Sequence, residues 1–102
     1  MNNVNLIGRL TKDPDVRYIA ESQKAVARFS IAVDRIGDGT DFPSIVAFGK
    51  TAENCERYIR KGSKVGITGR ISTGKYEDNE GYTHYTTDVV ADRVEFLDPV
   101  NR

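Results

Sequence analysis

Along most of this chain the hydrophobic residues return at every second position, and in one segment only do they return at helical spacing. A side-chain period of two belongs to strands and one near 3.6 to a helix, so this contrast constrains the fold class first. "NVNLIGRL" (3–10) sets Val4, Leu6, Gly8 and Leu10 on one parity against Asn3, Asn5, Ile7 and Arg9. "AVARFSIAVDR" (25–35) turns Ala27, Phe29, Ile31 and Val33 inward and the mostly small Val26, Arg28, Ser30, Ala32 and Asp34 outward. "SIVAFGK" (44–50) is a short strand, and "SKVGITGRISTGKY" (63–76) is a long one with Val65, Ile67, Gly69 and Ile71 inward. "YTHYTTDVVADRVEFL" (82–97) returns after a turn at Asp78–Gly81, and Gly66, Gly69 and Gly74 predict bulges or sharp coiling. The exception is "TAENCERYIRKG" (51–62), where Ala52, Cys55 and Ile59 share a helical stripe. Thr51 is expected to cap that helix and Glu53 to sit in its first turn. Arg57, Arg60 and Lys61 suit its last turn, with Gly62 as a left-handed stop.

The segments between are loops: "TKDPDVRY" turns at Asp13-Pro14, and "IGDGTDFP" (36–43) carries Gly-Asp-Gly and a proline. The order is then strand, strand, strand, helix, strand, strand. This predicts an all-β chain with one helix: an OB-fold, a five-stranded Greek-key barrel with the helix between its third and fourth strands. Its fourth and fifth strands should extend as a long hairpin. An SH3-like barrel lacks the helix, and a ferredoxin-like fold needs a second one. Residues 1–102 are read as one domain, large enough for a modest core.

Function classes narrow by chemistry. Cys55 is the single cysteine, which excludes an intrachain disulfide and a thiolate metal cluster and makes a reducing, cytoplasmic home the expectation. A strand-like pattern beginning almost at Met1 leaves no place for a signal peptide. His84 is the only histidine and stands on a polar strand with no acid or cysteine cluster at ligand spacing. Gly37-Asp38-Gly39 and Gly66–Gly69 match no phosphate or dinucleotide loop. No catalytic residue, metal or cofactor is expected, and the chain reads as a non-enzyme.

The face opposite the core holds the functional signal. "STGKYEDNEGYTHYTT" (72–87) has three tyrosines and no aliphatic residue, a poor composition for packing. On the fourth strand Tyr76 shares the polar parity with Arg70, and Lys75 is its neighbour. On the third, Phe42, Ser44, Val46 and Phe48 share one parity with Lys50 just beyond, and Arg28 lies outward on the second. Rings set among small residues and cations form a surface on which bases stack, at roughly 1–3 kcal/mol each. Phe48 fits the core equally well if parity slips at a bulge, and Tyr76 fits a solvated hairpin tip. Phe29 and Phe96 read as core, Tyr58 as partly buried, and Tyr18 stays open. The formal net charge of zero, 15 basic against 15 acidic residues, counts against a strongly electrostatic nucleic-acid binder.

The combination "NNVNLIGRLTKDPDVRY", "FSIAVDR", "FGKTAENCERYIRKGSKVGITGRI" and "YTTDVVADRV", in that order, resembles the bacterial and phage single-stranded DNA-binding proteins from Met1 to about Glu95. The resemblance implies sequence-independent binding of single-stranded DNA in replication, recombination and repair. It also implies a nucleoid-associated homotetramer, a dimer of dimers. Phe42 stands where the family often has a stacking tryptophan, Phe48 where it has a stacking phenylalanine, and Tyr76 at another stacking aromatic. Lys50, Arg60, Lys61 and Lys75 match basic positions along the DNA path; strand parity adds Arg28 and Arg70. The mixed outer side of the first strand is expected to pair between subunits. The chain departs from the pattern in having no tryptophan and, in "DRIGDGTD", only Ile36 where many members carry an aromatic. Family members usually continue into a flexible linker and an acidic tip that recruits replication and repair proteins. Residues 1–102 hold no such tail, and partners of that kind are expected only if the full-length protein has one. Two other classes use the same face: an assembly subunit such as a primosomal accessory protein, and an oligosaccharide-binding barrel.

Overall fold

The computed structural model describes residues 1–98. In chain order its elements are β1 (Val4–Leu10), β2 (Asp15–Tyr18), β3 (Ala25–Asp34), β4 (Thr40–Asp41), β5 (Ser44–Phe48), α1 (Gly49–Tyr58), β6 (Lys64–Glu77) and β7 (Thr83–Phe96). Five of the strands close a ring. β1 pairs antiparallel with β6, β6 with β7, β5 with β3 and β3 with β1, while β7 and β5 run parallel. With α1 between β5 and β6, this is the OB-fold that the sequence predicts.

β2 and β4 were not anticipated. β1 and β2 act as one strand bent at Thr11–Pro14. Both halves pair with β3, through Leu10↔Ile31 on one side of the bend and Asp15↔Arg28 on the other. Pro14 has no N–H to give a ladder, so the sequence shows a turn where the sheet needs a corner. β4 is a two-residue extension inside the loop after β3, pairing Val33↔Asp41 and Asp34↔Thr40.

The helix starts and ends earlier than its sequence signals. Phe48 occupies the N-cap position with no side-chain cap, Gly49 turns the chain at φ +61, and Thr51 lies inside the first turn. No acidic residue sits in that turn, so Glu53 falls later than expected. Arg57 is in the last turn, whereas Arg60 and Lys61 lie beyond it. Gly62, at φ +87, shapes the turn into β6 instead of stopping the helix. The physical reason is that β5 runs straight into α1, so pairing in the sheet sets the first helical residue.

The core is the predicted alternation. Leu10, Phe29, Ile31, Ile45, Val65 and Ile67 fill the barrel, and α1 adds Ala52 and Cys55, with Ile59 just past its end. Burial pushes the Cys55 thiol up to about 11, as expected of a core cysteine. Phe96 departs from its core assignment. It is 42% exposed at the rim, its ring centroid 5.6 Å from that of the exposed Tyr58.

Gly69 explains where the barrel ends. A Cβ there would collide with the carbonyl of Val90. The ladder also shifts at this point, from Thr68↔Arg93 to Gly69↔Ala91, leaving Asp92 as an extra residue. This is the bulge foreseen from the glycines. Beyond it β6 and β7 continue as a two-stranded arm, and every β6 residue from Arg70 to Glu77 is exposed. No helix among the described residues is long and apolar enough to cross a membrane.

Candidate nucleic-acid interface

Register decides which side chains share a surface. Across β3 and β5, Val26 faces Phe48 and Arg28 faces Val46; Val46 then neighbours Val90, and Val90 faces Arg70. The same face continues up the arm through Ser72↔Asp88 and Gly74↔Thr86 to Tyr76↔His84. Phe48, Arg28, Arg70 and Tyr76 therefore lie on one continuous outer surface. Phe48 is 42% exposed although it ends a central strand. The Lys24 ammonium lies 5.8 Å from its ring centroid, within cation–π range.

Val46 lies on that face yet is buried. It lines a pocket of about 310 Å³ under the bend between β1 and β2, with Lys12, Asp13, Asp15, Arg28 and Asp88 around it. The bend also draws in the segment after α1, since the backbone N–H of Lys61 donates to Asp13 Oδ1 at 2.8 Å. Arg60 and Lys61 thus come close to the Lys12–Asp13 corner, and Lys50 sits exposed in α1 two residues past Phe48.

At the arm's tip the rings of Tyr76 and His84 stack with centroids 5.0 Å apart and planes 18° from parallel. His84 Nε2 is 2.6 Å from Asp78 Oδ2, and Asp78 Oδ1 accepts the N–H groups of Glu80 and Tyr82 at 2.9 and 3.0 Å. The His84 contact, then the backbone donors of the turn, hold the Asp78 carboxyl below its ordinary range. One carboxylate thus ties the turn to the histidine, and the histidine covers one face of Tyr76. His84, on a polar strand with no ligand-spaced cluster in sequence, is thus paired with Asp78 and stacked on Tyr76. The turn at Asp78–Gly81 sets a register that places it opposite Tyr76, a signal present in the sequence.

Two candidates stand apart from the outer surface. Lys75 faces Tyr85, on the opposite side of the arm from Tyr76. Phe42 precedes β5 across Pro43 and lines the open end of the barrel, in a pocket of about 490 Å³ shared with Val4, Leu6, Ile71 and Val89. Those four belong to the inward parity, so Phe42 borders the barrel mouth instead of the surface that carries Phe48.

Ion pairs engage some of the arginines and leave other cations free of acids. Arg9, Arg17, Arg35, Arg70 and Arg93 each lie within 3.4 Å of an aspartate or glutamate. Arg70 meets Asp92, the extra residue of the bulge, at 2.8 Å. Among the described residues Arg28, Lys50, Arg60, Lys61 and Lys75 enter no such pair. Five acids, Asp15, Asp41, Asp92, Glu95 and Asp98, are engaged by arginines, and of those arginines only Arg70 is a candidate position. All these pairs are at the surface and contribute little to stability.

Comparison with known proteins follows the same outline. The model of the single-strand binding protein family matches residues 1–97. The single-stranded DNA-binding protein of Clostridium perfringens is 52% identical over 103 residues, covering 99% of this chain and 69% of its own length. Single-stranded DNA-binding protein 2 of Listeria monocytogenes is 46% identical over 99% of this chain and 66% of its own length. Single-stranded DNA-binding protein B of Bacillus subtilis is also 46% identical, over 99% of this chain and 94% of its own.

Proposed function

The chain belongs to the single-strand binding protein family, and on that premise we propose that its barrel binds single-stranded DNA without catalysis and with little sequence preference. Bases stack on Phe42, Phe48 and Tyr76, while Arg28, Lys50, Arg60, Lys61, Lys75 and Arg70 hold phosphates. One observation carries this reading: the core closes without these rings, which stay exposed, while the candidate cations, Arg70 excepted, enter no ion pair among the described residues. Exposed rings are the chemistry for unpaired bases, because every base has a π-face and stacking tolerates sequence. Arg70 is the weakest phosphate contact, since DNA must displace Asp92 to reach it. Binding of this kind suits strands exposed during replication, recombination and repair.

Residues 1–102 act as one binding domain, and the working form is a homotetramer built as a dimer of dimers. Ile7 supports assembly: it stands 59% exposed on the outer side of β1 between Asn5 and Arg9, an apolar residue with nothing over it in the monomer.

The test is a titration of oligo-dT, duplex DNA and a neutral oligosaccharide at moderate salt, followed by tyrosine emission, which is clean because the chain has no tryptophan. Oligo-dT should quench the emission and bind most tightly. Its log affinity should fall against log salt by about 0.7 per phosphate contacted. Constant emission in a complex seen by another probe would remove the stacking assignment. Absence of oligo-dT binding would favour an assembly subunit instead.

A further inference from the structure

The arm formed by β6 and β7 has two faces, and the rings assigned to DNA divide between them. Tyr76 is on the outer face, backed by His84. The inner face continues the core parity of the barrel through Ile71↔Val89, Thr73↔Thr87 and Lys75↔Tyr85. Tyr85 is 81% exposed, the most exposed ring among the described residues. It lines a depression of about 450 Å³ with Thr73, Gly74, Lys75, Thr86 and Thr87. Thr87 also lines the pocket at the barrel mouth that holds Phe42, Ile71 and Val89, so the two depressions are adjacent and share this residue. From Val89 to Tyr85 is four residues of strand, about 13 Å at the usual rise.

We propose that this inner face is a second track for the same single strand of DNA, with Tyr85 as its stacking ring and Lys75 as its phosphate contact. The track runs down the arm to Phe42, and the proposal rests on the single-stranded DNA reading above. Three observations select this occupant. Lys75 stands directly across the ladder from Tyr85 and is in no ion pair among the described residues. The residues between the rings are threonine and glycine, small enough for a sugar-phosphate chain to lie close. Beyond Ile71 the arm has no aliphatic side chain and this face carries Lys75 among threonines, whereas the buried centre of a protein contact is more apolar and depleted of charge. Glu77, at the tip, is the one acid on this face and limits the track to the stretch below it. A strand that reaches both Tyr76 and Phe42 must pass from one face of the arm to the other, so the second track lengthens the site.

The test uses the full chain and fluorescein-labelled oligo-dT from about 8 to about 30 nucleotides, spanning the site sizes of OB-folds. Wild type, Y85A, F42A and Y76A are compared at one salt concentration, with subunit mass measured by light scattering. Y85A and F42A should each weaken long oligonucleotides about fivefold and short ones less than twofold, because only a long strand fills the second track. Y76A should weaken both lengths alike. Equal loss at all lengths in Y85A, or none at any length, overturns the second track. So does a change of subunit mass in Y85A with unchanged affinity, which would make the face a contact between copies. If wild type fails to bind oligo-dT, the single-stranded DNA reading itself has failed, an outcome distinct from the others.

Discussion

β6 is one strand with two environments. From Lys64 to Gly69 buried residues alternate with exposed or half-buried ones, and from Arg70 to Glu77 all are exposed. The alternation of side chains does not stop at Gly69; what stops is the structure opposite it. β1 pairs with β6 only as far as Val4↔Gly69, so Ile71 points toward the core side with no strand beside it on the β1 edge. Ile71 is 48% exposed, while its neighbour across the ladder, Val89, is 7% exposed because β5 runs beside it. Parity decides which way a side chain faces; a closed ring decides whether that direction is buried.

The largest effect expected from this contrast is on stability. Ile67→Ala, in the closed half, should cost about 2–5 kcal/mol in denaturant unfolding, since it leaves a cavity that the barrel fills only in part. The loss should appear equally in the absence of DNA.

Tyr76→Ala should do the opposite. Oligo-dT affinity should fall by about 1–3 kcal/mol, with unfolding stability changed by no more than about 0.5 kcal/mol. An unfolded variant would place the arm in the cooperative core and erase the contrast.

Ile71→Ala sharpens the boundary. Half-exposed and beyond the bulge, it should cost less than about 1 kcal/mol, even though its parity matches Ile67. A cost equal to that of Ile67→Ala would mean that the arm is covered in the folded protein, by DNA or by another subunit.

The smallest effect concerns pH. Asp78 has a lowered folded-state value, set first by His84 and then by the N–H groups of the turn. Its stabilising contribution is therefore present above the unfolded value of about 3.9 and lost as pH falls through the lower folded one. The thermal midpoint of Asp78→Asn should lie slightly below that of wild type at neutral pH and converge on it as pH falls through the lowered folded-state value.

Much of this architecture was legible in residue order. The alternations of 3–10, 25–35 and 63–76 named the core residues Leu10, Phe29, Ile31, Val65 and Ile67 correctly, and the single helical stripe placed α1. The helix boundaries shifted because sheet pairing, not Thr51, sets the start. β2 escaped notice because four residues after a proline show little periodicity, while a bent ladder partner can still order them. At the candidate site, Phe48 was balanced between core and surface, and only its register against Val26 turned it outward. Phe42 was grouped with Phe48 by counting through Pro43, where the chain leaves the strand and parity lapses. Tyr82 and Tyr85 have opposite parity, so sequence allows at most one of them on the Tyr76 face, and only the ladder register sets Tyr85 across from Lys75 on the other face.

By itself the sequence determined the inward and outward sets of each strand, the one helix and the turn at Asp78–Gly81, because these depend on neighbours two to four residues away. Which outward rings meet which cations, where the barrel closes at Gly69, and how Asp78, His84 and Tyr76 lock together were decided by tertiary structure. Those relations join residues brought together by ladder register, and register follows from how five strands close a ring, which no local window of sequence contains.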